Sequence, residues 1–218
     1  PGAAVRRGAT RNSAMTSTDL YLIRHGETAD EFRGRCYGSL DVPLSPRGVR
    51  QMEAAALSMS ACSLSAIYSS PRSRCLRSAQ LIAVGRSNCM VTALEELSEL
   101  SFGAFEGKPY AEIERRHPEL YAQWMEHPTE VQFPDGESFQ QMRNRVLRAL
   151  QILRVRHAGR TFAIVTHGGV NRIVLAAAMG LPSENIFRLG QQYAAINVIR
   201  YYDEHAVVEL INGRSLEH

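Results

Sequence analysis

Two histidines in this chain stand in the same local grammar. His25 follows the apolar run Leu20-Tyr21-Leu22-Ile23 and Arg24 and precedes Gly26, while His167 follows Phe162-Ala163-Ile164-Val165 and Thr166 and precedes Gly168. A single histidine after a strand reads as a satisfied turn or core residue. Two in the same setting point to one site, because loops from different strands converge at the carboxyl edge of an open α/β sheet and ligands bind there. A neutral imidazole is a competent nucleophile toward phosphorus. Arg24 adjoins His25, and Arg72, Arg74 and Arg77 follow the short apolar run Ala66-Ile67-Tyr68. Guanidinium forks match phosphate oxygens, so the pattern reads as a phosphate pocket, with Arg77 on a solvated helix face. A leaving alkoxide needs a proton, and on residue type alone Glu95, Glu96 and Glu99 are equivalent donors.

These side chains must be carried by elements that the sequence also marks. Leu20–Ile23 has the length and composition of a buried strand, and Ser45-Pro46 is an N-cap with proline at N1, opening a helix whose apolar stripe is Val49, Met52, Ala56 and Met59. A second strand, Ala66–Tyr68, leads to a helix over about 72–84. Shorter helical patterns over 110–116 and 118–127 lie in a helical cover at about 95–137. Ser138 opens a long helix to Arg156, the strand 162–165 follows, and a helix over 170–179 and strand-like runs over 194–202 and 206–211 close the chain. The alternation predicts an α/β three-layer sandwich with a mostly parallel central sheet.

The 218 residues are 44% hydrophobic and 22% charged, which excludes a disordered or fibrous chain and suits one domain, placed at 17–215. The net charge of +3 is too small to imply nucleic acid, and a small anionic substrate fits the arginine-rich balance better than a polyanion. Cys36, Cys62, Cys75 and Cys89 have neither metal-ligand spacing nor the density of a disulfide scaffold, so they read as reduced thiols in a cytoplasmic protein with no metal or other cofactor. No apolar run approaches the roughly 18 residues that span a bilayer, so no membrane partner is expected. Residues 1–16 read as an extension outside the fold and 216–218 as an expression remnant. A monomer or homodimer is expected.

Leu22-Ile23-Arg24-His25-Gly26-Glu27-Thr28 and Val165-Thr166-His167-Gly168-Gly169 resemble the two signature segments of the histidine phosphatase superfamily, the phosphoglycerate-mutase-like family, and the match runs from about Leu20 to Tyr202. Ser69-Ser70-Pro71-Arg72-Ser73-Arg74 resembles the family's arginine segment, and Leu97-Ser98-Glu99-Leu100-Ser101-Phe102-Gly103 its acid segment. The resemblance implies His25 as nucleophile, Glu99 as proton donor, and Arg24, Arg74 and His167 as phosphate ligands, with no cofactor. Thr28, Tyr37, Gly38 and Gly168 stand in the matching segments as substrate or phosphate contacts. Two arginine charges would hold the His25 pKa down by like-charge repulsion. Cys36 lacks a dedicated base and is not read as a nucleophile. The family often has asparagine where Glu31 stands here, a departure that puts a carboxylate close to the expected pocket.

Mutases of the family carry arginine directly after the catalytic glutamate and a longer insertion behind it. Here that residue is Leu100 and the cover is short, which favours hydrolysis. The segments Gly34–Ser45, Phe102–Gly107 and Pro134–Ser138 resemble the α-ribazole phosphatase branch, implying the 5′-phosphate of a nucleoside-like precursor of cobalamin's lower ligand as substrate. Tyr37, Phe102, Phe105 and Tyr110 are candidates to line a pocket for its planar base. A broad-specificity small-molecule or sugar phosphatase, a phosphoglycerate mutase and a phosphate-binding module without turnover are the alternatives.

Overall fold

Alternating side chains on the two central strands divide the interior into two cores, and that division makes the molecule three layers deep. In the computed structural model, which describes residues 17–87, 89–203 and 205–214, β1 (Thr18–Arg24) and β4 (Thr161–Thr166) lie side by side and parallel. Leu20, Leu22, Phe162 and Ile164 face one core, whereas Ile23, Ala163 and Val165 face the other. Strands apolar on both faces need helices on both sides. α5 (Phe139–Arg156) and α6 (Gly168–Met179) cover the first face through Val146, Leu150, Ile173 and Val174. The second is covered by α1 (Pro46–Ser58) and α2 (Ser73–Ala83) through Met52, Ala55, Ala79 and Ile82.

The six-stranded sheet has the order β3-β2-β4-β1-β5-β6, with β2 at Ile67–Ser69, β3 at Val91–Ala93, β5 at Ile196–Tyr201 and β6 at Ala206–Gly213. β3, β2, β4 and β1 run parallel, and the last two neighbours pair antiparallel. The sheet is thus mostly parallel, as expected. α3 (Tyr110–Arg116) and α4 (Pro118–Glu126) form the helical part of the cover, and the rest of it is loop with single 3₁₀ turns at Glu95–Leu97 and Gly103–Phe105. Among the described residues no helix is long and apolar enough to cross a membrane. Residues 1–16 and 215–218 lie outside the described residues, and with them both expected terminal extensions.

Local chemistry sets the boundaries that matter for the site. The Ser45 hydroxyl accepts the Gly48 N–H at 2.9 Å with Pro46 at N1, and Ser138 forms a reciprocal capping box with Gln141. α6 begins at Gly168, two residues earlier than the sequence pattern indicates, so both glycines after His167 lie in its first turn. The edge strand β3 is missing from the sequence expectation because three residues, two of them exposed, carry no readable alternation.

Candidate active site

Register brings the two histidines together. Arg24 pairs with Thr166 across β1 and β4, so the next residue of each strand, His25 and His167, leaves the sheet at the same edge. Their rings stand 5.2 Å apart, edge to face, and both are almost fully buried. The His25 Nδ1 lies 2.7 Å from the Gly26 carbonyl oxygen. A carbonyl only accepts, so Nδ1 carries the proton and Nε2 the lone pair.

Burial is the largest cause holding the His25 pKa well below its ordinary value, followed by the charges of Arg74 and then Arg24. The expected arginine repulsion is present but ranks second to loss of water. Burial likewise leads for His167, ahead of Arg74, His25 and Arg24. Both imidazoles are therefore neutral at neutral pH. His167 Nε2 lies 2.9 Å from the Ser70 hydroxyl, and the Cys75 sulfur sits 3.5 Å from the same nitrogen.

The two arginines are held by carbonyls rather than carboxylates. Arg74, 1% exposed, donates from Nη1 to the Leu40 carbonyl at 2.8 Å and from Nη2 to the Gly38 carbonyl at 2.6 Å. Arg24 donates from Nη1 to the Gln191 carbonyl and lies 4.3 Å over the Tyr193 ring. Neither guanidinium forms an ion pair among the described residues. In both, the buried Nε has no hydrogen-bond partner. One buried and one half-buried cation, neither paired to a carboxylate, stand beside two neutral imidazoles, an arrangement suited to an anion.

Glu99 approaches from the cover. Its Oε1 accepts the Leu100 N–H and its Oε2 the Gly169 N–H, each at 3.0 Å. Gly169 is required at that contact, since a Cβ there would stand 2.3 Å from Glu99 Oε1. Arg145 of α5 fixes the acid segment from behind by donating to the carbonyls of Glu96, Ser98 and Glu99, and it pairs with Glu137 at 2.7 Å.

The cavity in front of these groups measures about 480 Å³ and is lined by His25, His167, Arg24, Arg74 and Glu99, with Thr28 and Tyr37 at its side. The Thr28 hydroxyl lies 2.7 Å from the Tyr37 hydroxyl, which lies 3.3 Å from that of Tyr193. Gly38 and Gly168 do not line the cavity. The Gly38 N–H is taken by the Glu106 carboxylate and its carbonyl by Arg74, so it supports an arginine rather than facing substrate. Gly168 sits behind the Arg24 guanidinium, where a Cβ would stand 3.4 Å from Nε.

Tyr37, Phe102 and Tyr110 line the cavity, but Phe105 is buried in the core and does not. Glu31 is exposed and absent from the lining, so the unusual carboxylate turns to solvent. The Cys36 thiol is buried, and that burial pushes its pKa up, the opposite of what a nucleophile needs. Arg77 is exposed. Sequence reading missed Tyr193, Ser70, Arg145 and Glu106; Ser70 stands directly after β2 within the arginine segment, whereas the other three belong to no strand-end motif. The only signal for Tyr193 was its place directly before a strand that joins the same edge. Among the described residues no cluster of three or more histidine, cysteine or acidic side chains is placed to hold a metal ion.

Residues 20–214 match the histidine phosphatase superfamily (branch 1). The chain belongs to this superfamily and is a phosphoric monoester hydrolase. It is 32% identical to phosphoserine phosphatase 1 of Hydrogenobacter thermophilus over 88% of its own length and 91% of that protein's. It is 26% identical to the adenosylcobalamin/alpha-ribazole phosphatase of Escherichia coli over 90% of its length and 97% of the relative's. The crystal structure of a putative alpha-ribazole-5′-P phosphatase from Escherichia coli superposes with a TM-score of 0.84 at 25% identity, covering 92% of this chain and 98% of that one.

Proposed function

We propose that the protein hydrolyses a small phosphomonoester through a phosphohistidine on His25, and that the ester is α-ribazole 5′-phosphate of cobalamin lower-ligand synthesis. The observation that carries the reading is the pairing of a tautomer-fixed His25, its Nδ1–H held by the Gly26 carbonyl, with the guanidinium groups of Arg24 and Arg74, which line the same cavity without a carboxylate partner among the described residues. An ester phosphate entering the cavity is met by these two cations. His25 Nε2 attacks phosphorus, the P–O bond to the alcohol breaks, and charge on the equatorial oxygens is met by Arg24, Arg74 and His167. Glu99 gives a proton to the departing alkoxide and then takes one from the water that cleaves the P–N bond, restoring neutral His25 and releasing phosphate. Leu100 beside Glu99 offers no cation for a second acidic group of a sugar acid, which supports hydrolysis over mutase chemistry.

The substrate reading draws on the outer cavity, where Tyr37, Phe102, Tyr110 and Tyr193 offer aromatic surface to a planar base. Phosphoserine is the second reading. It draws on the Hydrogenobacter relative and on the charged groups Glu27, Asp30, Arg33 and Arg35 along the same cavity, which could meet an ammonium and a carboxylate. The test is kcat/KM for α-ribazole 5′-phosphate against O-phosphoserine on one preparation. A preference of about tenfold or more for the ribazole ester is expected, since stacking on aromatic side chains contributes about 1–3 kcal/mol per base. A preference for phosphoserine would replace the first reading with the second.

A further inference from the structure

We propose that Glu106 is a positioning residue, a clasp that sets the phosphate arginine and the acid segment against each other through one carboxylate. The inference rests on the reading of Arg74 as a phosphate contact. Glu106 does not line the cavity, and no part of the hydrolytic mechanism uses it. Yet its two oxygens accept from five donors, the N–H groups of Gly38, Ser39, Leu40 and Phe102 and the Ser39 hydroxyl, at 2.8 to 3.2 Å.

The Gly38–Ser39 peptide unit connects the clasp to the site. Its N–H donates to Glu106 Oε1 at 2.9 Å, and its carbonyl accepts from Arg74 Nη2 at 2.6 Å. One peptide plane thus lies between a carboxylate and a guanidinium, with its dipole aligned so that each hydrogen bond polarises the other. Leu40 repeats the bridge across one residue, donating its N–H to Glu106 Oε2 at 3.1 Å while its carbonyl accepts from Arg74 Nη1 at 2.8 Å. With both terminal nitrogens tied to this segment, the Arg74 Nε is left without a protein partner.

The same carboxylate reaches the acid segment. Phe102, three residues beyond Glu99, donates its N–H to Glu106 Oε1 at 2.9 Å. The two segments also touch directly, since a Cβ on Gly38 would stand 1.8 Å from the Leu100 carbonyl oxygen. Shifting the Gly38–Leu40 loop therefore moves both the support of Arg74 and the backbone that places Glu99. A neutral amide cannot replace the carboxylate, because its NH₂ would face N–H donors.

The test measures inhibition by inorganic phosphate, with kcat and KM for an aryl phosphate, in Glu106→Gln, Arg74→Ala and the double variant. If Glu106 acts through Arg74, Glu106→Gln raises the phosphate inhibition constant about tenfold in the parent, yet less than about twofold once Arg74 is already alanine. KM for the aryl ester should rise in parallel. Should Glu106→Gln fail to fold, Glu106→Asp, which keeps the charge but withdraws it by one methylene, is read against the same background and should show the same dependence on Arg74. Equal losses in both backgrounds, or an unchanged inhibition constant, would overturn the clasp. An Arg74→Ala variant with normal phosphate inhibition would instead overturn the reading of the phosphate site on which the clasp stands.

Discussion

Two histidines of this molecule, His25 and His157, are buried near arginines with very different results. His157, at the opposite end of the sheet, has its pKa lowered by burial first and then by Arg156 and Arg160, the same kinds of cause that act on His25. It stacks on Phe162 at 5.1 Å, and both of its nitrogens are engaged, Nδ1 with the Ser65 hydroxyl at 3.2 Å and Nε2 with the Tyr68 hydroxyl at 2.9 Å. His25 has one nitrogen fixed, and the ring lines a cavity shared with the guanidinium groups of Arg24 and Arg74. A perturbed pKa thus does not separate a reactive histidine from a structural one. A ring nitrogen without a protein partner, set in a cavity that two guanidinium groups line, does.

The sharpest break of the comparison is substitution of each ring. His25→Ala should lower kcat by about a thousandfold or more, since it removes the proposed nucleophile. His157→Ala should instead lower stability by about 1–3 kcal/mol through its two lost hydrogen bonds and leave kcat/KM within about twofold, as read by denaturant melts and aryl phosphate assays. A catalytic collapse in His157→Ala would erase the distinction.

Next in size, Glu99→Gln should slow alkyl phosphates by about a hundredfold or more, because an alkoxide departs poorly without a proton. A nitrophenyl ester should lose much less in the first step, since its leaving group departs unprotonated. Equal slowing on both esters would reduce Glu99 to a shape-giving residue.

The pH response sharpens the comparison further. His25, His167 and His157 all have folded pKa values below their unfolded value of about 6.5, so their contribution to stability is complete above that pH and is lost as pH falls toward the folded values. Tm should therefore decline on acidification below about pH 6.5, and less steeply in His157→Ala. The acid limb of kcat/KM should lie below the ordinary histidine range and be the same in His157→Ala as in the parent. An acid limb that moves with His157 would tie that ring to the site. The smallest effect expected is that of EDTA on activity, which should be nil. Loss of activity restored by a divalent ion would point to a metal role that the described side chains do not suggest.

The sequence was most legible where chemistry sits at the ends of regular elements. Strand, histidine and glycine recur at β1 and β4, and the apolar runs of those strands mark them as buried, so the sheet edge and the pairing of His25 with His167 could be read in advance. Glu99 could be separated from Glu95 and Glu96 only by resemblance, because the residues that place it, Gly169 and Arg145, are 70 and 46 positions away. Gly38 illustrates the converse. It lies in a motif that resembles a substrate contact, but its backbone is used up by Glu106 and Arg74, and local sequence carries no record of such long-range hydrogen bonds. Phe105 reads as a pocket aromatic by type and proximity, whereas the packing of Trp124, Phe133 and His117 around it makes it core.

The central claim, that the phosphoryl group passes through His25, is tested most directly by trapping it. Rapid mixing of Glu99→Gln enzyme with an aryl phosphate, followed by a base quench and peptide mapping by mass spectrometry, should give a base-stable, acid-labile phosphate on the peptide that carries His25. That phosphate should be absent from the His25→Ala protein. Turnover with no phosphopeptide at any mixing time, or a phosphate mapped to His167 or Ser70 instead, would contradict the account.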